Sequence, residues 1–560
     1  MSPGEPRVVV IGGGLAGITA AIALAESGAR VTLLEARPRL GGATCSFTRD
    51  GLTVDTGQHI FLGCCSAYRG LLGKLGMTAH APLQDRFDVT VLAPGRTRTP
   101  RQARLRRTAL PGPLHMLPAL GRYPFLTRAE RARVALPALA MRRVDPADPG
   151  VDAQRFGDWL AARGQSERAR RALWDLFTVS ALNIAGDDAS LALAATVVKT
   201  GLLGKNNAAD IGVPALPLGE LHGDAAAVLL TRLGAQVALS TKVAAIEVIG
   251  SGTTGSGTTG SGATGSGATG SGTTGSEATG AREDSGARFR VRLARPADDA
   301  VPGSLGAEIA ADAVVLAVPH EKAAPLVPPD ALPSDTVAAW SGLGASPIVN
   351  VHVIYDRPVT SLPFAAAIDS PVQWVFDRTS ISGLGDGRGG GPQYLAISLS
   401  AADEYAEVPA ARLQEQFVPA LAELFPAARD ARVTEFFVTR ERRATFRQAP
   451  GTGALRPKAG TRLPGLVLAG AWTDTGWPDT MEGAVRSGLS AAIELRQTVL
   501  AVGPAAHASG SAVRASGPGA HASGPAALGS GPATEPAQGT AEPAGPFEPN
   551  ASASTIGVRQ

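Results

Sequence analysis

This chain is poor in cysteine, in lysine and in long uncharged apolar runs. Its three cysteines, Cys45, Cys64 and Cys65, are too few and odd in number for a disulfide framework, and point to a reducing compartment. No Cys or His spacing suits a metal, so no metal site is expected. A net charge of +3 gives the whole chain no electrostatic reason to seek a nucleic acid. No stretch reaches about 18 apolar residues free of charge and of glycine, which argues against a membrane span. The nearest approach, Val8 to Ala25, contains Gly12, Gly13, Gly14 and Gly17 and follows no basic segment of the export type. It reads as a strand, a tight turn and a helix, and a cytoplasmic location is expected.

What is present is 560 residues, 44% of them hydrophobic, enough for roughly two or three domains with cores of their own. Two segments are low in complexity. Residues 251–280 are six pentads of the type SGTTG, between the alternating stretches QVALSTKVAAIEVI and ARFRVRLA. They predict a hairpin with a flexible, expanded tip, since lengthening an exposed loop costs little entropy. Residues 501–560 are rich in Ala, Gly, Pro and Ser and predict a disordered tail. Elsewhere strand and helix signals alternate. Val8–Ile11, Ala16–Ser27 and Arg30–Glu35 read as strand, helix and strand. Buried strands recur at Ala311–Pro319 and Gly465–Gly470, the second leading to a helix from about Met481 to Leu500. The pattern predicts an α/β fold. A Rossmann-like dinucleotide domain (1–80, 216–320, 446–500) is interleaved with a mixed sheet-plus-helix substrate domain (81–215, 321–445).

Gly12, Gly14 and Gly17 have G-x-G-x-x-G spacing. The first permits the tight turn, the second lets the backbone approach a pyrophosphate, and the third lets helix and strand pack closely. Leu15 and Ala16 open the helix, whose free N–H groups and dipole suit phosphate. Glu35 ends the next strand, 23 positions past Gly12, close to the spacing of a ribose-binding acid, and Ala36 follows it. The alternative, a glycine-rich turn without a ligand, does not call for that acid.

Further motifs follow. EARPRLGGATCSF carries the glycine pair Gly41–Gly42, and VDTGQHIFLG carries Asp55, Gly57, Gln58 and His59. GAWTDTGWPDTMEGAVRSG opens the last helix with a polar, aromatic loop. Together they resemble the FAD-binding amine oxidase and phytoene desaturase superfamily. LNIAGDDASLALAATVV, SPIVNVHVIYDRPV and PVQWVFDRTS narrow the resemblance to the hydroxysqualene dehydroxylase family, squalene-associated FAD enzymes of bacterial hopanoid synthesis. It spans residues 8 to about 497 outside the pentads. The resemblance implies an FAD held by Gly12, Gly14, Leu15, Ala16, Gly17, Glu35, Ala36, Gly41, Gly42, Gly57, Gln58, His59, Val243, Gly470, Asp474, Met481 and Glu482. With no Cys in the C-terminal motif, the attachment there is non-covalent. The last helix would aim its N–H groups at the pyrimidine edge of the flavin, where the reduced form is negative. Asp479 and Glu482 have D-x-x-E spacing and read as caps of that helix or as cofactor contacts. Trp472 and Trp477 read as walls of the flavin site or as core. Two positions depart from the superfamily pattern. Ala43 stands where Arg is common, and Ala471 stands where many relatives carry an acid that orients the ribityl or phosphate region. Asp474 is expected to replace that acid.

The reaction implied is reductive. Hydroxysqualene loses its hydroxyl and gains hydride, giving squalene, which calls for a proton donor and a long, dry, apolar pocket. His59 is the candidate catalytic residue, against the commoner structural role of a lone histidine, and Asp377 reads as the partner of Arg378. GLGDGRGGG (Gly383–Gly391) lacks strand-then-helix context and reads as a hairpin loop, so the electrons are expected from an external donor, NADPH or a separate reductase. Between Arg96 and Arg143, twelve arginines and one acid, Glu130, alternate with LPGPLHMLPAL, YPFL and VALPALAM. This suits peripheral contact with the inner face of the cytoplasmic membrane, or a solvated basic face. A carotenoid (phytoene-type) desaturase would share every cofactor motif. An amine oxidase often has a Lys near the flavin, whereas Lys199 and Lys205 sit in no recognisable context. A flavin-binding scaffold without catalysis is the remaining class.

Overall fold

The computed structural model describes residues 5–249 apart from 97 and 113, then 287–294, 306–385 and 390–500. The pentads at 251–280, the segment 501–560 and part of the Gly383–Gly391 loop lie outside the described residues.

Five parallel strands form the first sheet, in the spatial order Leu466–Leu468, Ala313–Leu316, Arg7–Ile11, Arg30–Leu34 and Gln236–Ala238. Its central strands are uninterrupted apolar runs because both faces are covered. Val8 and Val10 belong to the core that holds the helices Leu15–Ala25 and Met481–Leu495. Val9 and Ile11 belong to the core on the opposite side, with Phe289 and Val291. Those two sit in a three-stranded antiparallel sheet, Val243–Val248, Phe289–Leu293 and Glu308–Ala311. The stretches flanking the pentads therefore pair as a hairpin. The single strand expected at Ala311–Pro319 is instead two, divided at Asp312. The Asp312 N–H donates to Arg7 O at 2.9 Å and its carboxylate takes the Arg7 guanidinium at 3.0 Å, which passes the chain from one sheet to the other.

A seven-stranded sheet builds the second half, in the order Val433–Thr445, Ser346–Tyr355, Gln393–Leu399, Trp374–Asp377, Phe364–Ala367, Asp88–Ala93 and Arg101–Arg106. Trp374–Asp377 pairs antiparallel with Gln393–Leu399, so the glycine-rich loop between them closes a hairpin. The period of two decides what each face meets. Val351, Val353 and Val375 pack under the helix Ala410–Leu424 through Leu413, Phe417 and Leu421. Trp374 and Phe376 point to the other side, toward the cavity described below. The architecture is thus α/β, a Rossmann-like domain interleaved with a mixed sheet-plus-helix domain.

The two ends of the described chain meet. A Cβ on Gly488, in the last helix, would stand 2.3 Å from Ala16 O in the first. Only glycine permits that crossing, and it sets the start of both helices beside one space.

Candidate active site: a cofactor cavity joined to an apolar chamber

Sterics fix the glycine turn. Gly12 has φ +110°, and a Cβ on Gly17 would lie 1.8 Å from Gly12 O, so helix and turn touch backbone to backbone. Gly14 differs. A Cβ there would meet nothing nearer than Gly42 Cα at 3.9 Å, while Gly41 N–H donates to Gly13 O at 2.8 Å. The two glycine pairs make a shallow cradle above Gly14, open to a pyrophosphate. Glu35 is buried and aimed at the turn. Its Oε2 accepts from Gly13 N–H at 2.7 Å and its Oε1 from Arg37 N–H at 2.8 Å, leaving lone pairs for ribose hydroxyls. Thr241 N–H donates to Glu35 O at 2.8 Å, which brings the strand that starts at Val243 alongside. These residues fit the dinucleotide half of FAD.

Next to the cradle lies a cavity lined by Leu15, Gly41, Ala43, Gly57, Gln58, His59, Ala471, Asp479, Thr480 and Met481, among others. Segments separated by more than 400 residues in sequence thus share one space. The last helix opens onto it. Its cap is Thr480, whose Oγ1 accepts from Gly483 N–H at 3.2 Å, and its first N–H groups have no intrahelical acceptor.

Several expectations require correction here. Neither Asp479 nor Glu482 caps the last helix. Glu482 is buried and its two oxygens accept from Ala67 and Tyr68 N–H at 3.1 and 2.8 Å, at the start of the helix Ser66–Lys74. It also pairs with Arg486 at 2.7 Å, and so its side chain joins two helices and does not line the cofactor cavity. Asp474 does not stand in for the acid missing at Ala471. It is exposed, accepts from Gly476 N–H at 3.3 Å and does not line the cavity. The carboxylate that shares the cavity with Ala471 is Asp479. Trp472 is core: its indole N–H donates to Val318 O at 2.9 Å and its ring stands edge-on to Trp340. Asp377 is not the partner of Arg378. It accepts from Thr379 N–H at 2.9 Å and from the Gln393 amide at 2.8 Å. Arg378 forms a buried ion pair with Asp55, which also accepts from Ser46 Oγ and Leu218 N–H at 2.6 and 2.9 Å. The Asp of the D-x-G-x-H stretch therefore anchors that stretch to the second sheet.

Arg456 escaped sequence reasoning, because nothing in its neighbours marks it. It is buried and donates to the carbonyls of Ala471, Trp472, Thr473 and Trp477 at 2.6–3.3 Å, shaping the whole loop before the last helix. Gly470 bends the chain into that loop at φ +138°, with its N–H on Ser487 Oγ at 2.9 Å.

Electrostatics separate the cavity's titratable groups. His59 has Nδ1 at 3.1 Å from Gly57 O, and desolvation lowers its pKa, so the ring is neutral at pH 7. Asp479 accepts from Phe446 N–H at 2.9 Å, and burial pushes its carboxyl up to about 6.

A second cavity shares Ile60, Ser180, Ala181, Trp374, Thr480 and Met481 with the first. Its walls are Phe61, Leu62, Phe87, Phe177, Val197, Leu202, Ile211 and Trp477, with Cys64, Cys65 and Glu482 at one side. The phenol of Tyr68 on this wall is engaged with His222 Nε2 at 2.8 Å. The result is an apolar chamber opening onto the cofactor cavity.

The profile of the family described as "Flavin containing amine oxidoreductase" matches residues 15–269 and 291–495. The chain is similar to hydroxysqualene dehydroxylase of Rhodopseudomonas palustris, 29% identical over 518 residues, covering 89% of this chain and 99% of that one. It is also similar to the zeta-carotene desaturase of Zea mays, 25% identical over 86% of this chain and 82% of that one. Among solved structures, putrescine oxidase bound to putrescine superposes with a TM-score of 0.60 at 18% identity, over 88% of this chain and 99% of that one.

Proposed function

Because the chain belongs to the flavin-containing amine oxidoreductase family and is an FAD-dependent oxidoreductase, we propose that it removes the hydroxyl of hydroxysqualene to yield squalene. The observation that carries this reading is the apolar chamber meeting the cofactor cavity at Trp374 and Met481. When bound and reduced, FAD supplies a hydride. The chain's own residues do the rest. Phe61, Phe177, Leu202 and Trp477 hold an isoprenoid and exclude water, so that a developing allylic cation is not trapped. The start of the last helix provides N–H groups for negative charge at its end of the cavity. The likeness to hydroxysqualene dehydroxylase favours this substrate.

The test is anaerobic incubation of photoreduced enzyme with hydroxysqualene, following flavin reoxidation and squalene together. Matched appearance of both supports the reading. Turnover of phytoene by the oxidised enzyme, with no squalene from hydroxysqualene, would replace it by a carotenoid desaturase, which the likeness to the Zea mays enzyme would then explain.

The same reading extends to peripheral membrane contact and to an external electron donor, NADPH or a reductase. No helix among the described residues is long and apolar enough to cross a membrane. Leu110, Leu114, Leu117, Leu136 and Leu139 are nevertheless 45–58% exposed, five of the eight large apolar residues so exposed among the described residues. In the same stretch of sequence Arg122, Arg128, Arg133, Arg142 and Arg143 make no ion pair among the described residues, whereas Arg101, Arg104 and Arg107 do. Guanidinium groups without a carboxylate partner, in the same segment as exposed leucines, suit an anionic lipid surface. Gly112 N–H donates to Asn206 Oδ1 at 2.6 Å, tying this segment to the end of the chamber wall that includes Gly201 and Leu202.

A further inference from the structure

We propose that Asp479 is the proton donor of the cofactor cavity, delivering its carboxyl proton to the oxygen that leaves the substrate. This deepens the hydroxysqualene reading and rests on it. The residue immediately precedes Thr480, the cap of the helix that opens onto the cavity, and it lines that cavity. One oxygen, Oδ2, is anchored by Phe446 N–H at 2.9 Å. The other, Oδ1, has no partner among the described residues, and Asp479 lines the cofactor cavity one residue before Thr480, which lines both this cavity and the apolar chamber. Its backbone is fixed. Asp479 N–H donates to Gln448 Oε1 at 3.0 Å, and Gln448 in turn donates to Leu182 O at 2.7 Å.

The charges around it leave the carboxyl close to neutral pH. Arg456 is the nearby cation, but its guanidinium is engaged with four carbonyls and forms no ion pair with Asp479. Glu321 adds repulsion, and burial dominates, pushing the carboxyl up to about 6 against the Phe446 N–H and Arg456. At pH 7 about one carboxyl in ten then carries a proton. The other titratable groups lining the cavity are His59 and Glu441. His59 is a poor acid: desolvation keeps it neutral, and its Nδ1 faces Gly57 O. Glu441 Oε1 accepts from Arg443 N–H at 3.4 Å within its own strand.

The step balances. The C–O bond breaks as the carboxyl proton joins the oxygen, and water departs. The carbon would take the hydride that FAD, bound and reduced, would supply, the two electrons coming from an external donor of the nicotinamide or reductase class. Asp479 ends as a carboxylate and regains its proton from solvent.

Asp479→Asn and Asp479→Glu, both loaded with FAD, are compared with the unmodified enzyme. In the unmodified enzyme the visible absorbance of the bound oxidised flavin should titrate with a midpoint near pH 6. In Asp479→Asn that transition should vanish, flavin content should be unchanged, and squalene formation should fall by about a hundredfold or more. Asp479→Glu should restore part of both. Squalene formation at the unmodified rate in Asp479→Asn, persistence of the pH 6 transition, or loss of FAD from that variant would each overturn the assignment. If no form of the enzyme makes squalene, the substrate reading fails separately, and the absorbance titration still decides whether Asp479 is the ionising group of the cavity.

Discussion

Gly14→Ala separates the cofactor from the fold. Gly14 adopts φ −77° and ψ 177°, extended backbone open to any residue. The new methyl would meet nothing closer than Gly42 Cα at 3.9 Å. Reduced freedom of the unfolded chain favours the folded protein by about 0.4–1 kcal/mol, and loss of a glycine cap offsets a similar amount, so the apoprotein should keep its melting temperature. The cradle above Gly14, however, is where the pyrophosphate is expected. A methyl placed in an occupied contact costs about 1–3 kcal/mol, which is roughly a 5- to 150-fold loss of FAD affinity. Gly17→Ala is the contrast, because its Cβ would stand 1.8 Å from Gly12 O and must break the packing of helix on turn. Thermal melts of the apoproteins and fluorescence titration with FAD read the two effects independently. FAD binding by Gly14→Ala at unmodified affinity would refute the placement of the pyrophosphate. An apoprotein as unstable as Gly17→Ala would refute the steric argument.

His352 is buried between Tyr394 and Thr439, at 2.7 and 3.0 Å, and desolvation lowers its pKa to about 3. Below pH 6.5 the unfolded chain takes a proton that the folded one refuses, so this contribution is complete above pH 6.5 and is lost as pH falls. Denaturant titrations between pH 6 and pH 5 should show His352→Gln with a stability slope flatter by about 1 kcal/mol, whatever its absolute stability, and an unchanged slope would contradict the burial. Replacing Glu482 by Ala leaves the Ala67 and Tyr68 N–H groups without their acceptor, and should lower stability by about 3 kcal/mol in a chemical melt, with Glu482→Gln intermediate. Converting Leu110, Leu114, Leu117, Leu136 and Leu139 to Ser should cut flotation with anionic liposomes by about tenfold or more, and salt should weaken what remains. Equal flotation would remove the membrane face. His59→Ala should keep its FAD, and loss of turnover in that loaded variant would restore the direct role that a neutral ring argues against.

Legibility in the sequence follows the range of the forces involved. The geometry of Gly12, Gly14, Gly17 and Glu35 is readable because the turn, the helix packed on it and the buried acid aimed at it all lie within one βαβ unit, where spacing alone sets geometry. The hairpin around the pentads is readable for the same reason, since alternation on both sides fixes its register. The errors concern which partner a charged side chain selects. Asp55 reaches Arg378 across 323 positions and Glu482 reaches Tyr68 across 414, and no local pattern encodes either choice. In both cases a local reading looked sufficient: Asp377 beside Arg378 as an ion pair, and Asp479 with Glu482 as caps of the helix they precede. A short chain separation keeps two charges close in every conformation, folded or not, and so adds little to the choice of one fold. A buried pair far apart in sequence forms only when the sheets have packed, and removing one partner then costs about 3–5 kcal/mol. Asp479 forms no ion pair, yet its surroundings too exist only in the packed protein. Its carboxyl accepts from Phe446 N–H and lies in the fields of Arg456 and Glu321, but it is burial, reached only when these segments have packed, that pushes it up to about 6 and leaves an aspartate in a loop able to carry a proton near neutral pH.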